Sequence, residues 1–349
     1  MKTKLMSVLL VLVMVFTLVA CGQSGPETSG STTGGSQGGQ EADSASKDIG
    51  FPEKDIEFIV PYNAGGGYDA WGRAFAEYAK KHLPEGVNIV VANRPGGAGR
   101  SGTTELYRAR PDGYTIGLAE TLNAAPQVVL GEEEIGFNLA DFTWLGQLAA
   151  DPYVIFASSK SSIKSMADLA AAEQIRWGIV TANANDLIIE SLYDLNVNWV
   201  KGFDGLPEQV AAMSRGDIDL LGGGASTTYK FVEAGEIVPL LVLRDKPSPL
   251  LPEVPTILEE KNEVMDFSVF RVIAAPPGVP EEIAAYLEEL IQKVTNDPEF
   301  QQWAKSNNYI LEYDNAAGLE QTVQSILSSL EKFKPTYEEA VLQELGGSK

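Results

Sequence analysis

Short apolar runs alternate along this chain with segments of helical period, and glycine clusters stand at several of the junctions. Residues 56–61 are apolar with little alternation and read as a strand buried on both faces. Residues 69–83 place Ala70, Ala74, Phe75, Tyr78 and Ala79 at helical spacing and end on basic side chains. A second buried strand is predicted at 87–92, a helix at 100–110, a turn at Pro111-Asp112-Gly113 and a third strand at 114–119. The pattern returns with a strand at 175–180, a helix at 186–195, a short strand at 197–201, a helix at 208–215, and strands at 218–221 and 237–243. After a strand at 269–275, residues 281–294 and 319–333 read as surface helices. Strands joined through helices predict an α/β fold with a mostly parallel sheet flanked by helices. Two such runs in one chain predict two lobes with a cleft between them. The expected crossing to the second lobe lies near 152–158 and the return between about 243 and 271, giving lobe 1 as 51–152 plus 268–345 and lobe 2 as 153–267.

The first 20 residues have a different character. Lys2 and Lys4 precede an almost wholly apolar run at 5–20, which ends Leu18-Val19-Ala20-Cys21. A basic start, a short apolar core and small residues before a cut make a secretory signal, and the run is short for a segment that stays in the bilayer. Its end resembles the bacterial lipoprotein signal, which implies cleavage before Cys21 and a diacylglyceryl thioether on that residue. Cys21 is the single cysteine of the 349-residue chain. The Gly/Ser/Thr-rich stretch that follows has no apolar periodicity and cannot support a core. It reads, over 21–50, as a flexible tether spanning on the order of 30 Å. The expected location is therefore extracytoplasmic, with membrane contact through the lipid anchor only.

Inventory excludes several kinds of chemistry. The formal net charge is −22, which argues against nucleic acid and against an anionic membrane surface as direct partners. One histidine, His82, and one cysteine leave no material for a His-based triad, a His/Cys metal site or an internal disulfide. No Gly-x-Ser-x-Gly elbow stands between a predicted strand and a predicted helix and no Gly-Lys-Ser/Thr phosphate loop is present, so neither an enzyme nor a bound cofactor or metal is expected.

Ala64-Gly65-Gly66-Gly67-Tyr68-Asp69 lies between the first predicted strand and the first helix. Glycines bare backbone N–H groups, and a helix N-terminus adds partial positive charge, so the loop suits a carboxylate or phosphate. Asp69 is a candidate N-cap; a purely structural turn with a helix cap is the alternative. Gly65-x-Gly67-x-x-Ala70 also fits a loose dinucleotide fingerprint, but the next strand ends at Ala92 and Asn93 without the acid that would hold a ribose. A second cluster, Gly96-Gly97-Ala98-Gly99, follows the second strand. Both clusters sit at carboxyl ends of neighbouring strands, where open α/β sheets bind ligands. Two helix N-termini there would let an acidic protein hold an anion.

Val60-Pro61-Tyr62-Asn63-Ala64-Gly65-Gly66-Gly67-Tyr68-Asp69, Asn93-Arg94-Pro95-Gly96-Gly97-Ala98-Gly99, Pro111-Asp112-Gly113-Tyr114-Thr115, Leu251-Pro252-Glu253-Val254-Pro255-Thr256 and Ala275-Pro276-Pro277-Gly278-Val279-Pro280 occur in this order. Together they resemble the signatures of the substrate-binding receptors of tripartite tricarboxylate transporters, also called Bug proteins. The resemblance implies a two-lobed, type II periplasmic-binding fold that clamps a small carboxylated solute and docks on a permease of one large and one small membrane subunit. It implies that the 64–69 loop grips a carboxylate through main-chain N–H groups and that a lobe 2 loop near 180–186 closes over the other end. The ligand-binding residues expected on this basis are Tyr62, Ala64, Gly65, Gly66, Gly67, Tyr68, Asp69, Gly97, Arg100, Ser101, Glu120, Thr121, Thr181, Asn183, Phe203 and Ala225.

Some positions depart from the family pattern. Arg100 stands where Asn is usual, and Glu120 where a small hydroxyl residue is usual. Thr181-Ala182-Asn183-Ala184-Asn185 replaces a Gly/Ser-rich loop, and Asp204 stands where Lys is frequent. An acid in the cleft repels a second ligand carboxylate unless it is paired. Glu120 therefore pairs with Arg100, faces a cationic group of the ligand, or points to solvent. Gly222-Gly223-Gly224-Ala225-Ser226 ends a lobe 2 strand and is either a ligand approach or a tight loop. Trp71 is a possible aromatic flank, with a core position as the alternative. A sensory protein that presents its solute to a signalling receptor is the other functional class this sequence fits.

Overall fold

A computed structural model describes residues 49–121, 123–125, 135–180, 183–203 and 205–335. Cys21, the signal, the tether up to residue 48 and Thr181 lie outside the described residues. The chain opens with β1 (Ile56–Val60), α1 (Gly67–Ala79), β2 (Ile89–Asn93), α2 (Arg100–Tyr107), β3 (Thr115–Ala119) and β4 (Thr143–Asp151). Then come β5 (Tyr153–Ser158), α3 (Met166–Ala170), β6 (Ile175–Gly178), α4 (Ala184–Leu192), β7 (Val197–Val200), α5 (Leu206–Arg215), β8 (Leu220–Gly224), α6 (Ala225–Glu233) and β9 (Ile237–Val242). The last part holds α7 (Ile257–Lys261), β10 (Val269–Ala275), α8 (Glu281–Thr295), α9 (Pro298–Ser306), β11 (Asp314–Asn315) and α10 (Ala316–Lys332).

The strands form two sheets, in the orders β11-β4-β10-β3-β1-β2 and β7-β6-β8-β5-β9. The strand–helix–strand units give the parallel pairs: β1 with β2 and β3, and β6 with β7 and β8. The other pairs are antiparallel, so both sheets are mixed rather than mostly parallel. The cause is the connectivity. The chain runs from β4 through Pro152 straight into β5 of the other sheet, and returns on β10 beside β4.

Local sequence accounts for the main elements. Ile56, Phe58, Ile59 and Val60 are wholly buried, as a strand covered on both faces requires. Along α1 the buried side runs Tyr68, Trp71, Gly72, Phe75, Ala76 and Ala79, the spacing of one helix face. Gly72 is needed there, because a Cβ would stand 2.7 Å from Val60 Cγ2. Trp71 packs edge-on against Phe300 and Trp303 and belongs to the core, which answers the question of whether it flanks a ligand. α5 has Pro207 in its first turn and ends on Gly216 in the left-handed region (φ 81°). One apolar cluster is continuous between the sheets, running from Leu106, Phe142 and Phe270 to Ile155, Trp177 and Ile188.

An ionic contact joins segments on either side of the crossing. Arg244, just after β9, donates from Nη1 and Nη2 to the two carboxylate oxygens of Glu312 (3.0 and 2.9 Å). Its Nη2 also lies 3.4 Å from Asp266, and its side chain is only 3% exposed. A forked arginine–carboxylate pair fixes orientation as well as distance.

Candidate functional site

The loop after β1 leaves Ala64, Gly65 and Gly66 exposed and leads into α1. Gly66, in extended conformation, is the N-cap, and no side chain caps the helix. Asp69 is the third helical residue, which corrects the expectation that it is the N-cap. Its carboxylate reaches back instead: it accepts from Gly65 N–H (2.8 Å), Arg73 Nε (2.9 Å) and Asn93 Nδ2 (3.0 Å). Burial alone would push this carboxyl up, but those donors outweigh it and hold it below its ordinary value. Asp69 thus shapes the loop and is itself almost fully occupied.

The second glycine cluster takes φ values of 136° at Gly96, 56° at Gly97, 54° at Ala98 and 95° at Gly99. Such a run suits glycine and turns the chain sharply into α2. A Cβ at Gly99 would lie 3.1 Å from both Glu120 and Tyr62, so the close approach of this loop also depends on glycine. α2 starts without a side-chain cap, like α1. Two uncapped helix starts follow β1 and β2, which are neighbours in the sheet. That is an arrangement for anions.

Glu120, directly after β3, is 2% exposed. Tyr62 Oη donates to its Oε2 (2.6 Å), as does Tyr68 Oη (3.0 Å), and the Asn123 backbone N–H donates to Oε1 (2.9 Å). The two phenol rings are 4.5 Å apart. Burial, and then the Glu120 charge, push both phenols well above their ordinary value, so they stay protonated and donate. Glu120 therefore does not point to solvent, and no ion pair joins it to Arg100 among the described residues.

Arg271 in β10 was not among the residues expected from the sequence. It is 4% exposed, its guanidinium carbon lies 3.9 Å from the Tyr68 ring centroid, and Nη1 donates to the Val269 and Phe270 carbonyls (3.2 Å each). Its Nε has no hydrogen-bond partner. Its Nη2 is beside Gly67 at the start of α1, 3.4 Å from where a Cβ would be. The signal for it was present: a single basic residue inside an otherwise apolar strand.

On the other sheet, β8 ends in glycines for a reason of space. A Cβ at Gly222 would collide with Asp186 Oδ1 and Tyr153 Oη, and one at Gly224 with Asp151 Oδ2. Tyr153 Oη donates to Asp186 Oδ1 (3.0 Å) and Asn183 Nδ2 to Oδ2 (2.8 Å). Asn183 Oδ1 in turn caps α4 by accepting from Asp186 N–H (3.1 Å). Burial pushes the Asp186 carboxyl up to about 7, against those two donors. Asp151 accepts from Ser226 N–H in the first turn of α6 (2.8 Å); burial raises it as well, despite the Arg271 charge. Thr227 Cγ2 is 3.8 Å from the Gly67 Cβ position, so the starts of α1 and α6 face each other.

The chain matches the family described as Tripartite tricarboxylate transporter family receptor over residues 72–341. The chain belongs to this family. Its fold is similar to that of a TctC solute-binding protein from Polaromonas (TM-score 0.68, 26% identity, 83% of this chain and 99% of that one). It is also similar to MatC of Rhodopseudomonas palustris with bound malate (TM-score 0.69, 20% identity, 81% and 100%). A second R. palustris protein, with adipate, gives a TM-score of 0.68 at 21% identity over 82% and 98% of the two chains. The two-lobed periplasmic-binding architecture is thus the fold of this chain, and the family is one of extracytoplasmic solute-binding receptors rather than enzymes.

In this receptor the remaining expected residues separate into groups. Gly97 and Ser101 are exposed and Arg100 is half-buried alongside Gly97. Ala225 is wholly buried and donates its N–H to the Pro152 carbonyl (2.8 Å), so its side chain faces the core. Phe203 packs on the end of β6, 3.2 Å from the Gly178 Cβ position. Thr121 is 2% exposed and its Oγ1 has no partner; with Asn185, Phe267 and Phe270 it lines a cavity of about 10 Å³. Among the described residues no group of His, Cys, Asp and Glu could hold a metal ion, and no helix is long and apolar enough to cross a membrane.

Proposed function

We propose that this receptor captures a small carboxylated solute between its two sheets and delivers it to a permease of one large and one small membrane subunit. The observation that carries this is the pair of uncapped, glycine-built helix starts at α1 and α2, with Arg271 beside the first. Backbone N–H groups and one guanidinium recognise a carboxylate without making the surface basic. The malate and adipate held by structural relatives are solutes of this kind. The lobes are read as 51–152 with 268–345 and as 153–267, closing over the solute. A solute shifts the open–closed balance only by its preference for the closed form. Residues proposed to meet it are the 64–68 loop, Gly97, Arg100, Ser101, Asn183 and Arg271, with Thr181 on the closing side. Cys21 is proposed to carry the lipid that holds the receptor at the outer face of the membrane. Mass spectrometry of the membrane fraction tests that, by a chain beginning at a diacylglyceryl cysteine.

Thermal-shift screening of the full chain against mono-, di- and tricarboxylates, aromatic acids and amino acids tests the main reading. A ligand that binds only the native state raises the melting temperature by mass action. A saturable rise with any of these acids is expected; no rise with any of them would refute carboxylate capture.

A further inference from the structure

The buried polar belt between the sheets carries more acid than base. Glu120, Asp151 and Asp186 are each at most 5% exposed. Asp151 has the Arg271 charge near it, and Asp186 has the hydroxyl of Tyr153 and the amide of Asn183. Among the described residues, the hydrogen-bond donors to the Glu120 carboxylate are all neutral: two phenols, one side-chain amide and one backbone N–H. A dicarboxylate closed into this belt would bring a second anion against a buried one, which is costly where water is excluded.

An anion-binding corner adjoins that carboxylate. Arg271 Nε is buried without a partner, and the guanidinium lies beside Gly67 at the uncapped start of the 13-residue α1. Tyr68 bridges the two, its ring under the guanidinium (3.9 Å) and its hydroxyl on Glu120 (3.0 Å). Tyr62 is half-buried and also donates to Glu120. Its ring offers a cation a π face backed by a negative charge.

We infer that the solute of this receptor is amphoteric, an amino acid or a related aminocarboxylate. Its carboxylate lies on the start of α1 and on Arg271, and its cationic nitrogen lies against the Tyr62 ring with Glu120 behind it. The assignment rests on the receptor reading above and narrows its solute class.

The test uses probe pairs that differ in one amino group: L-aspartate with succinate, L-glutamate with glutarate, L-phenylalanine with 3-phenylpropionate, and 4-aminobutyrate with butyrate. Affinities are measured by calorimetry on the full chain and on Glu120→Gln. Glutamine fits the site: its carbonyl accepts from Asn123, its amide faces the phenol oxygens, and the phenol protons turn to the carbonyls of Ala98 (3.0 Å) and Phe270 (3.3 Å). The melting temperature of Glu120→Gln is therefore expected within a few degrees of the parent. The amino member of at least one pair is expected to bind tenfold or more tightly than its partner, and Glu120→Gln to erase that ratio. A deaminated member that binds as well as its amino partner in every pair that binds would overturn the inference. So would a ratio unchanged in Glu120→Gln, or a thermal shift with simple carboxylates and none with any amino acid; each of these leaves carboxylate capture standing. Silence from every acid, amino or not, would overturn both readings together.

Discussion

The Asp69 carboxylate takes donors from three segments at once: the glycine loop, the next turn of α1 and the end of β2. Asp69→Ala should lower stability by about 1–2 kcal/mol, the worth of charge-assisted bonds with one exposed partner, and should weaken solute binding because the loop loses its tie. Urea unfolding and calorimetry on the variant measure both; an unchanged affinity would remove Asp69 from the site. That this residue belongs to the loop was legible from an acid next to glycines. Its helical position was not, because the cap is decided by the backbone conformation of Gly66, which no side chain announces. Arg271 was less legible still, since its meaning comes from Gly67 and Tyr68, which are distant in the sequence.

Gly72 makes the contrary case for a single helix. On propensity alone, Gly72→Ala in α1 should stabilise by about 1 kcal/mol. The Val60 methyl leaves no room for the added carbon, so α1 would have to lift from β1. The variant should lose about 1–3 kcal/mol, as overpacked sites do, and urea denaturation gives the sign. Helices with a clear period were read within a few residues of their ends, α1, α5, α8 and α10, and β10 was read as a short apolar run closed by Pro276-Pro277-Gly278. β4 was missed, although it is nine residues long, because Gly146 and Gln147 interrupt its apolar run and its partners lie far away in sequence. α9 was missed in spite of its signals, an Asp297 cap and Pro298 in the first turn.

Across the molecule, buried acids set the pH response. Burial raises Asp151, Asp186 and Asp266, with Asp186 near 7. A raised carboxyl binds more protons folded than unfolded, so its stabilisation is complete below the ordinary carboxyl range and is lost as pH rises toward 7. Asp69, Asp168 and Asp297 are lowered, so theirs is present above that range and is lost in acid. The net charge of −22 adds repulsion as pH rises. Stability should thus peak near pH 4–5 and decline toward neutrality. Asp186→Asn, which keeps a carbonyl toward Asn183 and an amide toward Tyr153, should flatten that decline. Its gain should be about 4 kcal/mol at pH 8 and about 2 kcal/mol less than that at pH 5, measured by denaturant titration at the two pH values. A variant gain that is equal at both would refute the assignment.

The path of the chain through its sheets has a consequence for how the second one is attached. β4 and β10 are antiparallel neighbours, and Asp151 stands opposite Val269 on the same rung. Residues 152–268 leave the first sheet and come back to the position they left. Without them, β4 and β10 are the two arms of an ordinary hairpin, which a two-residue turn could close. In topology the second sheet is a passenger in the tip of that hairpin, tied to its carrier by two crossings of the chain and by the apolar cluster the sheets share.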